Sequence, residues 1–392
     1  MATYYWVGGS GNWYDGAHWA TTSGGTGNAF GSGQGPGPCD NIIFNSASSA
    51  SSYSVSFSGG GGTGYDWNIN PPASGTLTIS GDTVTTKVFN SLTIAATRVS
   101  ANIYRGWLIT STTKQNISQP EVVTSNSMLI NTNNNTNNIG SFIIDTGSTT
   151  SFYVNLGSAF NCVDLKFISG TFNAAGYNIT CSDIDVDAGV VNLNNISISC
   201  SDFQTQYGTV GPSVINLTGT VITAKGTNAA FFQGTNHTCV FDNVTKIQVT
   251  GVHTFPSVNN IGNVVPGLTL PHIEIKTTSM VVASSIILVD KLTMTGGQTL
   301  KITSSYTVNV NKVSFEGTST SPITIYGDGG PVTKANFVKN GGYMDMNGVN
   351  VSDVAFSGTA VKRAWQSTGT RVTGITVNPG KKPPEASFLI FC

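Results

Sequence analysis

The feature that most restricts what this chain can become is a repeat of nineteen residues between positions 162 and 210. Cys162-Val163-Asp164-Leu165, Cys181-Ser182-Asp183-Ile184 and Cys200-Ser201-Asp202-Phe203 follow one another at that offset, and Gly170, Gly189 and Gly208 keep it. Phe172-Asn173 falls on Val191-Asn192 and Asn178-Ile179 on Ser197-Ile198, so apolar and turn positions recur together. A unit this short holds two or three brief strands and leaves no room for a helical hairpin or a propeller blade. It suits one coil of a winding sheet, whereas a two-layer sandwich has no reason to repeat residue identities at a fixed period. The expected fold is all-β: a right-handed parallel β-helix (β-solenoid) with a small aromatic and glycine-rich β module at its N-terminus.

The pattern returns more loosely downstream. Leu292-Thr293-Met294 followed by Leu300-Lys301-Ile302 matches Val313-Ser314-Phe315 followed by Ile323-Thr324-Ile325, at offsets of 21 and 23. Ile273-Glu274-Ile275, Ile286-Ile287-Leu288 and Val308-Asn309-Val310 are short β-prone runs of the same kind. The β-helix is therefore expected over residues 151–376, and residues 46–150 read as an irregular β-rich region or early coils. Residues 1–45 read as a separate module. Trp6, Trp13 and Trp19 stand there among glycine turns, and aromatic anchors at that density close a cap or dock on a neighbouring subunit. At the far end, residues 377–392 combine a proline-rich linker with the apolar run Phe388-Leu389-Ile390-Phe391, which is expected to pack against its own body or another subunit.

Composition excludes several classes. Charged residues make up 9% of the chain, with 18 basic against 19 acidic side chains and a net charge of −1. Neither nucleic acid nor an anionic membrane is an expected partner for so even a balance. Disorder is excluded by a hydrophobic content of 39%. Ala2-Thr3-Tyr4-Tyr5-Trp6 has neither the basic start nor the apolar stretch of a signal peptide, and nowhere do eighteen apolar residues run together. The expectation is synthesis in a cytoplasm without export, so the sequons at Asn178, Asn195, Asn216, Asn236 and Asn243 read as composition.

Candidate chemistry is sparse. Cys162, Cys181 and Cys200 are expected to stack in one interior column, since spacings of nineteen match no zinc pattern. Cys39, Cys239 and Cys392 show no partner pattern. Asp183, Asp185 and Asp187 alternate with Ile184 and Val186, which places three carboxylates on one face of one strand. Glycoside-cleaving enzymes use paired acids roughly 5 to 9.5 Å apart, and residues two apart on a strand fall in that range. A calcium ion is the other functional reading of the trio, and a solvated face that opposes edge-to-edge aggregation is the bland one. Tyr343, Arg363 and Trp365 are side chains of the sort that stack on sugars. His18, His237, His253 and His272 belong to no nucleophile or metal motif, and no dinucleotide or phosphate loop occurs, so no cofactor is expected.

Tyr5-Trp6-Val7-Gly8-Gly9-Ser10-Gly11-Asn12-Trp13, the His18-Trp19 pair and Asp40-Asn41-Ile42-Ile43-Phe44 resemble the opening of β-helical structural proteins of tailed bacteriophages. The opening is also similar to that of some bacterial surface and autotransporter-like β-helix proteins. The likeness covers the first 45 residues well and the remainder only in style. Gly341-Gly342-Tyr343-Met344-Asp345-Met346 to Val372-Thr373 matches the degenerate last coil of the phage group. The resemblance implies a virion component, a tail fibre, tailspike or capsid-decorating protein, most often a homotrimer, whose partners are other virion proteins and host-surface glycans. It carries over no catalytic residue. A polysaccharide-degrading tailspike using the aspartate face and a bacterial surface adhesin are the alternatives.

Overall fold

A computed structural model describes residues 1–57, 61–72, 75–81, 86–94, 99–103, 107–109, 127–131, 141–145, 153–205, 212–225, 237–250, 253–255, 270–282, 286–329 and 333–380. The fold is nearly all β, a parallel β-solenoid; among these residues the helical content is a single 3-10 turn, Gly16–His18. The chain divides into two compact units, residues 1–222 with 236–242, and residues 223–235 with 243–392.

In the first unit each coil of the repeat supplies three strands. Phe160–Asn161, Asp164–Ser169 and Thr171–Asn173 lie against Ile179–Thr180, Asp183–Val186 and Gly189–Asn192, all parallel and all in the nineteen-residue register. Ser197–Cys200, Asp202–Thr205 and Ser213–Asn216 form the next coil. Alternation along each strand sends Leu165, Phe167, Ile184, Val186 and Phe203 inward, where all are essentially buried. The backbone satisfies itself coil to coil, so the interior is left to apolar side chains.

Two devices hold the register. Asn155, Asn173, Asn192 and Asn216 form an amide ladder in which each Nδ2 donates to the Oδ1 of the coil before it, at 2.9, 2.6 and 2.5 Å. The second device is a glycine corner: Gly170 and Gly189 adopt φ of +87° and +97°, and a Cβ on Gly189 would stand 2.4 Å from the Gly170 carbonyl oxygen. Gly208, the third member of that column, lies outside the described residues.

The N-terminal segment is part of the winding instead of a module set apart from it. Thr3–Trp6 pairs antiparallel with Trp19–Ala20 and parallel with Asn41–Phe44, which continues in parallel to Thr63–Ile69 and Thr86–Ile94. Gly11–Asn12 likewise starts a parallel column through Tyr53–Phe57 and Leu77–Gly81 to Val99–Ile103. The boundary near residue 45 therefore has no counterpart in the pairing, because aromatic density marks an end coil and not a separate fold. Trp6, Trp13, Trp19, Trp67 and Phe44 are fully buried, with Trp13 stacked on Trp67 at 5.0 Å and edge-on to Trp19 at 4.7 Å. This corrects the docking expectation for Trp6, Trp13 and Trp19: no surface of these rings is left to meet another subunit.

In the second unit the strands Lys246–Val249, Leu270–Ile275, Ile286–Thr295 and Thr307–Glu316 form one parallel column. His253–Phe255, Ser279–Val282, Thr299–Ile302, Ile323–Gly327, Val349–Ser352 and Thr368–Thr370 form another. Leu292 pairs with Val313 at the expected offset of 21. Leu300 pairs with Ile325, an offset of 25, so the expected 23 is wrong by two. Alternating strands look the same after a slip of two, and sequence pattern cannot see it. The winding runs to Thr376–Asn378, beside Val361–Trp365. The tail Phe388, Leu389, Ile390 and Phe391, with Cys392, falls outside the described residues.

Replacing Gly189 with alanine is expected to lower stability by about 2 to 4 kcal/mol, because it forces a side chain into a left-handed backbone against a carbonyl. Chemical denaturation of the variant beside the parent measures it, and an unchanged midpoint would contradict the corner as described.

Candidate functional site

The acidic face of the first unit is built by stacking. Asp183 stands between Asp164 and Asp202 on neighbouring strands, and Asp185 between Lys166 and Gln204. Stacked carboxylates are about 4.8 Å apart at the backbone, whereas residues two apart along a strand are separated by about 6.6 Å. The closest acidic neighbours of Asp183 are therefore on other coils. The Ser141 hydroxyl donates to Asp164 Oδ2 at 2.8 Å.

The strand ends at Val186, and Asp187, the residue that follows it, is 6% exposed. Lys166 Nζ lies 3.0 Å from Asp185 Oδ2 and 2.9 Å from Asp187 Oδ2, so one ammonium holds both carboxylates. Burial pulls the Lys166 pKa down, but the hydrogen bonds to Asp187 and Asp185 outweigh it and hold the ammonium above its ordinary value. Asp185 is pushed up chiefly by burial, against the stabilising Lys166 hydrogen bond. Burial also raises the Asp183 pKa, and the Asp164 and Asp202 charges raise it further. The arrangement thus separates an ion-paired corner from a column of mutually repelling acids whose middle member binds its proton more readily than a free aspartate. Among the described residues no group of three or more His, Cys, Asp or Glu side chains is arranged to hold a metal ion.

Sequence reasoning singled out Asp183, Asp185 and Asp187 and overlooked Asp164, Asp202 and Lys166 as their partners. The signal was present in the Cys-x-Asp repeat, which places an aspartate beside an aspartate once the nineteen-residue stride is read as a stack.

Cys162, Cys181 and Cys200 follow the paired residues Asn161, Thr180 and Ser199, and all three are buried in one column. A hydrogen bond with Cys162 and then burial hold the Cys181 thiol well above its ordinary pKa, which disfavours the reactive thiolate. Burial alone takes Cys239 to about 12. In the second unit, the Arg363 guanidinium lies 4.8 Å from the centre of the exposed Tyr343 ring, and its Nε is 4.0 Å from Asp345 Oδ1. Trp365 is the next outward residue on the same strand. His18 stacks on Trp6 at 4.7 Å. The sequon residues serve turns and the ladder: Asn178 Oδ1 accepts from the Ser197 amide, and Asn216 is a rung.

No protein-family model matches the chain, and no curated protein or solved structure does either. No helix of the described residues is long and apolar enough to cross a membrane.

Two outcomes are expected at this face. Asp183→Asn should raise the unfolding temperature at neutral pH by about 2 °C, since it removes a crowded charge. A carboxyl with a raised folded pKa stabilises only while protonated, so that gain should vanish as pH falls below the ordinary aspartate range. A thermal melt series across pH checks both the sign and the window. Lys166→Met should cost about 2 kcal/mol at neutral pH, because two partly buried carboxylates lose their cation.

Proposed function

We propose that the chain is a surface-exposed structural component of a bacteriophage virion, a tail fibre, tailspike or capsid decoration, acting in assembly and in contact with host-surface glycans. The supporting observation is the parallel stacking inside each unit, in which the described strands of one coil hydrogen-bond to those of the next and side chains pack beneath. Such a body leaves few unpaired backbone groups for a protease. The aromatic opening, which resembles that of phage β-helical proteins, supports the same reading. A homotrimer with other virion proteins as neighbours completes the proposal.

A second reading, a polysaccharide-degrading tailspike, draws on one observation: the proton affinity of Asp183 is raised beside two further carboxylates, as a general acid requires. Quantitative mass spectrometry of purified particles tests the first reading. The chain is expected at a fixed copy number relative to the major capsid protein, and its absence would remove the proposal. New reducing ends from host polysaccharide, lost in Asp183→Asn, would move the assignment to the second.

A further inference from the structure

The second unit carries a line of basic residues that runs across its strands. Lys246 pairs with His272, His272 with Lys291, and Lys291 with Lys312, so four basic side chains occupy one outward column on successive coils. Their sequence separations, 26, 19 and 21 residues, hide the column from any reading along the chain. The coils place them about 4.8 Å apart.

The charge of the column is only partly answered. Glu274 takes Lys246 at 3.2 Å and Lys276 at 2.7 Å, and Asp290 lies 3.9 Å from Lys312 at a largely exposed pair. With Lys291, four ammonium groups thus meet two carboxylates, in a chain whose 18 basic and 19 acidic residues nearly balance as a whole. Lys291 has no carboxylate within ion-pair reach among the described residues. His272 Nε2 lies 2.8 Å from Thr293 Oγ1. Burial, then the Lys246 and Lys291 charges, lower its pKa against the opposing pull of Glu274 and Asp290. It stands as a neutral member between two cations.

We infer that the column Lys246, His272, Lys291 and Lys312 binds a carboxylated polysaccharide laid along the stacking direction of the coils. A point anion needs donors that converge, and these are collinear. A polymer with a carboxylate on successive sugars meets a row of cations at regular intervals, and Thr293 and Ser314, one outward position along the same strands, offer hydroxyl groups to its hydroxyls. The inference deepens the glycan-binding part of the proposed function by naming the glycan class, and it rests on that reading for its biological setting.

Titration calorimetry of the full chain with polygalacturonate, and with uncharged dextran as the comparison, tests the site. The parent is expected to bind polygalacturonate and not dextran, with affinity falling steeply as salt rises. Lys291→Gln with Lys312→Gln should weaken binding about tenfold or more. Lys301→Gln, which removes a cation paired with Asp328 in a different column, should leave it unchanged. Protonation of His272 adds a charge, and because its pKa is lowered the affinity should rise only as pH falls below the ordinary histidine range, a rise that His272→Gln should flatten. Thermal melts matching the parent establish that the variants are folded. Equal binding of both polymers, or parental affinity in the double variant, overturns the inference. A chain present in virions yet indifferent to polygalacturonate sinks the site and leaves the virion proposal standing; one that binds but is missing from particles does the reverse.

Discussion

Everything in this protein hangs on the hydrogen bonding of each coil to the next. A parallel strand cannot close on its neighbour through a tight turn, so each pairing requires the chain to travel a full circuit before it returns. The reward is that one circuit fixes the position of the following one. Interior columns such as Leu165, Ile184 and Phe203 follow from that stacking, and so does the burial of the cysteines. The asparagine ladder and the glycine corner add direction, because both are satisfied at one register and broken at any other.

The same rule explains why the polar chemistry lies across strands. Lys166 bridges Asp185 of the next coil and Asp187 at its corner, and Asp183 is crowded by acids that are distant in sequence. A carboxylate between two carboxylates resists ionisation, whereas one beside an ammonium does not. Proximity on a single strand is the weaker influence, since backbone pleating spaces those residues further apart than the coil rise does.

Where the repeat is strict, it made the architecture legible: Cys162, Cys181 and Cys200, with Phe172 over Val191, announce the stride and the inward positions together. Where it loosens, legibility failed for definite reasons. The pairing of Leu300 with Ile325 is hidden because apolar alternation is unchanged by a slip of two, and the extra residues between Phe315 and Ile323 carry no marker of their number. Trp6, Trp13 and Trp19 announced an end structure, but tryptophan reads the same whether it faces a partner or its own core. At the acidic face Asp183 and Asp185 stand out along one strand, whereas Asp164 and Asp202 lie a full stride away in the sequence. Lys246, His272, Lys291 and Lys312 escaped altogether, because their intervals are unequal.

The asparagine ladder has a wider implication for what such a chain can be made of. A polypeptide that lays successive copies of itself side by side brings each residue against its own kind. An amide tolerates that company, being donor and acceptor at once, and hydroxyls do too; a lysine or an aspartate meets an identical charge and is repelled. The scarcity of ionised groups along the chain is then a selection imposed by self-adjacency, and each surviving column of like charge is a departure from it that demands either a counterion or a guest.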